Sequence, residues 1–192
     1  MYLKRNNELD VLKLYLRGHT HEFYLREISV LTKIPLKTTQ NILYSLEKNN
    51  ILSSTVRGKH KYFALNTHNP KTKFYLLQAE VYQTILFLDA YPSFKAFLKD
   101  LAMQSTIVIF GSFARFKADN NSDVDLLIIQ DDHQKIPSHL LPYKIHEIRL
   151  TEDSYKKALE QQEALIKEIE KSHIILNNHS FYVNAFWGHY GT

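Results

Sequence analysis

The stretch from Ile107 to Ile129 constrains the chain more than any other. Two apolar runs, Ile107-Val108-Ile109-Phe110 and Val124-Asp125-Leu126-Leu127-Ile128-Ile129, flank a segment that opens on Gly111-Ser112 and closes on Ser122-Asp123. Short β-branched runs of this kind predict buried strands. The first strand breaks at Gly111-Ser112 into a helical turn, which aims backbone N–H groups and the Ser112 hydroxyl at one point. Such a turn suits an anionic phosphate, because unpaired amides favour negative charge and glycine permits close backbone approach. Asp123 and Asp125 sit two apart and so share one face at the start of the second strand. Two carboxylates on one face repel each other unless a cation or proton resolves them, and Mg²⁺ does so naturally.

Composition narrows the remaining chemistry. The 192 residues include no cysteine, which excludes a disulfide framework, a Cys-based zinc site and a thiol nucleophile, and leaves oxygen ligands with hard ions. No apolar run reaches the roughly 18 residues of a membrane helix, and the polar start from Met1 to Asp10 is not a secretory leader, so a cytoplasmic protein without a membrane partner is expected. Neither an internal repeat nor a low-complexity tract is present. The net charge of +4 hides an asymmetry: residues 1–70 hold 11 Lys and Arg against 5 Asp and Glu, whereas residues 101–192 hold 9 against 12. A basic first third points to a polyanion and an acidic second half to a different partner. Among ten histidines, His19/His21 and His173/His179 lack an accompanying ligand set and read as scattered surface residues.

The first 70 residues carry their own pattern. Leu9, Val11, Leu12, Tyr15 and Leu16 predict a helix from Glu8 to Arg17, stopped by Gly18; Leu25, Ile28 and Leu31 predict a second, closed by Lys33-Ile34-Pro35. A third is expected from Leu36 to Lys48. It places Leu36, Thr39, Ile42, Leu43 and Leu46 on one side and Lys37, Asn41, Tyr44 and Lys48 on the other. The second set, with Thr38 beside it, suits a phosphate-lined major groove. Two strands, Ile51–Val56 and Tyr62–Leu65, follow, joined through the cationic turn Arg57-Gly58-Lys59-His60-Lys61. The order of elements resembles the winged helix-turn-helix family over about residues 5–67. That resemblance implies double-stranded DNA as partner, with the third helix reading bases and Arg57, Lys59 and Lys61 contacting phosphate or minor groove; small folds of this kind also serve protein contacts. Beyond Pro70, Phe74, Leu77, Val81, Ile85 and Leu88 predict a helix of about 17 residues, a domain contact or a homodimer seam.

The second half resembles the nucleotidyltransferase superfamily that includes DNA polymerase β, most closely its minimal branch. Gly111-Ser112, Ala114-Arg115 and Ser122-Asp123-Val124-Asp125-Leu126 match that branch's signature, G-S-x-A-R-G followed by S-D-x-D-L. The resemblance implies transfer of a nucleoside monophosphate, most simply AMP from ATP, to a hydroxyl of a protein, nucleic acid or small molecule. Gly111, Ser112 and Arg115 would then bind the phosphates, and two Mg²⁺ ions would sit on Asp123, Asp125 and a third carboxylate on a neighbouring strand, for which Glu147 in Ile145–Leu150 is the candidate. Two departures, Phe116 in place of the signature's last Gly and Glu147 in place of the usual Asp, favour the alternative of a transcriptional regulator whose second domain only binds nucleotide. Together these readings predict an α+β chain: a winged helix-turn-helix domain of three helices and a hairpin wing over residues 1–69, a helical connector over 70–103, and a nucleotidyltransferase mixed sheet flanked by helices over 104–192.

Overall fold

Asn6 opens the first helix: its side-chain oxygen accepts from the N–H groups of Glu8 and Leu9, at 3.1 Å each, and so supplies partners that the first turn lacks. In the computed structural model, which describes residues 5–18, 21–101, 105–119, 121–130 and 135–191, α1 (Asn7–Leu12) runs into a 3-10 turn (Lys13–Arg17) that ends at Gly18. Then follow β1 (Phe23–Tyr24), α2 (Leu25–Thr32), α3 (Leu36–Lys48), β2 (Leu52–Arg57) and β3 (His60–Leu65). β3 lies between β1 and β2, antiparallel to both. Two residues are too few for alternation to register, which is why β1 is invisible in the sequence pattern.

The expected apolar stripe of α2 is displaced. Leu31 is 53% exposed, while Ile28 and Thr32 are buried, because Thr32 satisfies its hydroxyl on the Ile28 carbonyl at 2.6 Å and can therefore turn inward. α3 begins and ends where its periodicity places it. Thr39, Leu43 and Leu46 pack, Leu36 is 45% exposed, and Lys37, Asn41, Tyr44 and Lys48 are exposed. Gly58 takes φ 59° in the two-residue turn between β2 and β3, a position where glycine carries no steric penalty.

α4 (Pro70–Ala90) starts at the proline rather than after it. Pro70 has no N–H to leave unpaired, and Asn69 Oδ1 accepts from the Lys71 N–H at 3.1 Å. The helix also turns a different face inward. Phe74 and Val81 are 58% and 40% exposed, whereas Leu76, Ala79, Glu80, Gln83, Thr84 and Phe87 are buried. The contacts divide the chain into two compact units, with the division between Ala79 and Glu80 within α4.

The second unit, Glu80–His189, adds α5 (Phe94–Lys99), β4 (Thr106–Phe110), α6 (Gly111–Ala114), β5 (Val124–Ile129), β6 (Ile145–Leu150), α7 (Glu152–Glu160), α8 (Ala164–Lys171) and β7 (Ile174–Asn177), with α9 (His179–Tyr190) following. The mixed sheet has the order β6-β5-β4-β7, with only β5 and β6 parallel. One sheet face, with Ile107, Ile109, Leu126, Ile128 and Ile174, packs on Phe87, Phe94, Phe97 and Phe113. Apolar positions at Tyr155, Leu159, Ile166 and Ile169 predict one helix over residues 155–171, and the structure has two, α7 and α8. Gln162, at φ 52°, ends α7: its N–H reaches the Leu159 carbonyl at 3.2 Å and that of Glu163 the Ala158 carbonyl at 3.1 Å. This is a Schellman stop without glycine, and so without its usual sequence marker.

Candidate active site

The site is assembled by strand pairing. Phe110, the last residue of β4, pairs with Asp125 near the start of β5, which sets Gly111 directly against that carboxylate. Gly111 has φ 70°, and a Cβ there would overlap Asp125 Oδ2 and lie 3.2 Å from its Cγ. Glycine is thus required twice, by its left-handed backbone and by the lack of space. α6 is a single turn, too short to accumulate much dipole, so what it offers an anion is its amides and the half-buried Ser112 hydroxyl. Phe113, between those residues and Ala114, points the other way into the core, with ring centres 4.8 Å from Tyr143, 5.1 Å from Tyr91 and 5.7 Å from Phe94. The turn is anchored from beneath.

Asp123 and Asp125 are brought together as their spacing requires, with side chains 35% and 30% exposed. Ser122 fixes the approach. Its hydroxyl accepts from the Asp119 N–H at 2.9 Å and donates to Asp119 Oδ1 at 3.0 Å, while Asn121 N–H reaches the same carboxylate. These bonds, the Ser122 hydroxyl's first, hold the Asp119 carboxyl below its usual range.

Glu147 is not brought to the pair. In the parallel register of β5 and β6 it lies beside Leu126, and its carboxylate meets Arg149 at 2.7 Å. Strand alternation puts it on the opposite face from Asp125. The residue beside Asp125 is His146, whose Nδ1 is 3.5 Å from Asp125 Oδ1 and whose Nε2 is 3.6 Å from Asp123 Oδ2. Lys144 Nζ adds a third contact, 3.4 Å from Asp123 Oδ2. Burial raises the Asp125 pKa above the usual carboxylate value; His146 opposes that shift, and the Glu168 and Asp123 charges add to it. Glu168 on α8 has no motif, and only the packing of its helix places its charge within reach.

Two carboxylates on one face, one of them lifted by burial, fit a single hard divalent ion that takes its other ligands from water or phosphate. Among the described residues, no group of three or more metal-ligating side chains surrounds one point. Arg115 is exposed just beyond α6. Phe116 stands at φ 57°, its N–H bonded to the Phe113 carbonyl at 3.0 Å and that of Lys117 to the Ser112 carbonyl at 3.0 Å. The position where the signature has glycine is therefore the left-handed stop of α6. The Phe116 ring rests near Phe87 and Tyr91, 6.1 and 6.3 Å between centres.

The other candidates are distributed differently from their sequence description. His173 and His179 are not surface residues: His173 is 3% exposed, with Nε2 2.8 Å from Glu80 Oε1, and His179 Nε2 lies 2.9 Å from Thr84 Oγ1. His19 lies outside the described residues. In the first unit, Lys37, Asn41, Tyr44, Lys48 and Lys59 are exposed and Thr38 half-buried. Arg57 and Lys61 form ion pairs with Glu22 and Glu47, both at 2.7 Å.

Residues 92–179 match the family model of the nucleotidyltransferase domain, a span that runs from before β4 to the end of β7 and includes both aspartates. No match was found among curated proteins or among solved structures. Among the described residues, no helix is long and apolar enough to cross a membrane.

Proposed function

We propose that the second unit transfers a nucleoside monophosphate from an NTP, most simply ATP, to a hydroxyl acceptor, and that the first unit is a winged helix-turn-helix domain for double-stranded DNA. The observation that carries the first part is the juxtaposition of Gly111 with Asp125, which brings the backbone turn that opens α6 directly against the carboxylate face. Asp123 and Asp125 would hold Mg²⁺, which when bound offsets triphosphate charge and favours departure of pyrophosphate. Ser112 and the amides beyond Gly111 would bind the terminal phosphates, with Arg115 supporting them. In the transfer, the acceptor oxygen bonds to the α-phosphorus, the bond to the bridging oxygen breaks, and pyrophosphate leaves. His146 contacts both aspartates and Lys144 contacts Asp123, so a bound cation would compete with these two side chains for the carboxylates.

The same contacts favour a second reading. An imidazole where a third carboxylate was expected leaves one protein-held ion rather than two, which suits a regulator that binds nucleotide without transferring it. Labelled NTPs, Mg²⁺ and a cell extract, incubated with wild type and with Asp123→Asn and Asp125→Asn, separate the two. Label transfer or pyrophosphate release that both variants lose supports the enzyme; nucleotide binding without either supports the regulator.

For the first unit, the exposed arc of Lys37, Asn41, Tyr44 and Lys48 on α3, beside a cationic hairpin tip, supports the duplex reading. Genomic DNA fragments should bind with an affinity that falls steeply with salt. Salt-independent binding, or none, would remove it.

A further inference from the structure

A cleft lies within the first unit. It spans about 520 Å³ between α3, the start of α2 and the hairpin, with Arg26, Gln40, Tyr44 and Lys59 in its walls. That volume lies within the roughly 300–1,000 Å³ of small-molecule sites.

Its chemistry is sorted by wall. Leu43 and Phe63 are buried and form an apolar floor. Tyr24 is held at the side by His60, 5.1 Å between ring centres. Tyr44 is 67% exposed and stacks on no described ring, which leaves an aromatic face open beside the floor. Glu47 is already neutralised by Lys61 at 2.7 Å and bonded by Ser54, so its pKa is lowered, chiefly by the Lys61 hydrogen bond. Arg26 and Lys59 make no ion pair among the described residues. The cleft therefore carries an excess of positive charge that nothing within it balances, next to an open ring and the Gln40 amide.

A ligand that satisfies all of these is flat, apolar on its faces, polar at its edge and anionic at one end. We propose that the cleft binds one nucleotide whose base is unpaired, the base against Tyr44, its edge toward Gln40 and its phosphate on Arg26 and Lys59. A base inside a duplex is stacked on both faces and cannot offer one to Tyr44. The inference rests on neither the transferase nor the duplex reading.

The test uses the full chain in EDTA with Asp123→Asn and Asp125→Asn, which removes metal-dependent nucleotide binding by the second unit. Fluorescence anisotropy compares a labelled 12-nucleotide single strand with a duplex of the same sequence; competition by the four nucleoside monophosphates separates a free nucleotide from a strand as the source. The single strand is expected to bind more tightly than the duplex, with Tyr44→Ala and Arg26→Ala each weakening it on the order of tenfold and Tyr44→Phe retaining affinity. Lys37→Ala, outside the lining, should weaken the duplex while leaving single-strand binding within about twofold of wild type. Circular dichroism melts verify that each variant is folded. Two results would overturn the proposal: insensitivity of strand binding to both cleft variants, or displacement of the strand by an acidic peptide but by no nucleotide.

Discussion

Phe116 and Gly111 show how a single position acquires its meaning from what surrounds it. Both have positive φ, but they differ in space. At Phe116 the side chain has room, so the only cost is a left-handed backbone, about 1 kcal/mol, offset by ring packing of similar size. Phe116→Gly should accordingly leave the melting temperature within a few degrees of wild type and transferase activity within about twofold, as thermal unfolding and label transfer would record. At Gly111 there is no room. Gly111→Ala adds the same backbone cost and an overlap with Asp125, so loss of nucleotide transfer together with a destabilisation of at least about 1–2 kcal/mol is expected from denaturant titration and the label assay. The signature's two glycines thus do different work, one clearing a carboxylate and the other ending a helix turn.

At the level of elements, α4 is joined to its unit by polar contacts as well as by Phe87. Gln83 Nε2 donates to the His173 carbonyl at 2.7 Å, Thr84 Oγ1 to that of Ile175 at 2.6 Å, and Glu80 pairs with His173. His173 Nδ1 also lies 3.0 Å from the Ile169 carbonyl, so both ring nitrogens face acceptors and the imidazolium is favoured. Burial alone would lower the His173 pKa, but the charge and hydrogen bond of Glu80, with Glu170 on α8 adding, carry it upward; Tyr182 on α9, its own pKa raised by burial, stays neutral beside it. A raised folded-state pKa means stability fully present below the unfolded value of about 6.5 and lost as pH rises through the folded one. Between about pH 6 and a pH above the folded-state value, unfolding free energy should therefore fall in wild type and fall less in Glu80→Gln, which removes the charge that keeps His173 protonated. Chemical denaturation at both pH values measures this.

For the molecule as a whole, charge asymmetry becomes a statement about which cations are available. Of the five basic residues expected to contact DNA, Arg57 and Lys61 are held by Glu22 and Glu47, while Lys37, Lys48 and Lys59 remain without an ion pair among the described residues. Each phosphate contact contributes about 0.9 to the salt slope. The logarithm of duplex affinity should thus fall with the logarithm of salt with a slope of about −3 rather than about −4.5, and Lys37→Ala or Lys59→Ala should weaken binding more than Arg57→Ala or Lys61→Ala. Filter binding across a salt series would measure both.

What the residues determined unaided was local: Leu36–Lys48 as a helix, the turn at Gly111-Ser112 and the aspartates on one face. Each follows from contacts a few residues apart, where periodicity and backbone sterics suffice. Other features were decided by tertiary structure. Whether Glu147 or His146 stands beside Asp125 depends on the register of two strands about twenty residues apart, and a shift of one residue exchanges the faces. The inward face of α4 depended on distant partners for Glu80, Gln83 and Thr84, without which its apolar stripe reads as the buried side. The glycine-free stops at Asn50, Phe116 and Gln162 could not be read because their left-handed backbone is imposed by hydrogen bonds that close each helix end, not by the residue that occupies it.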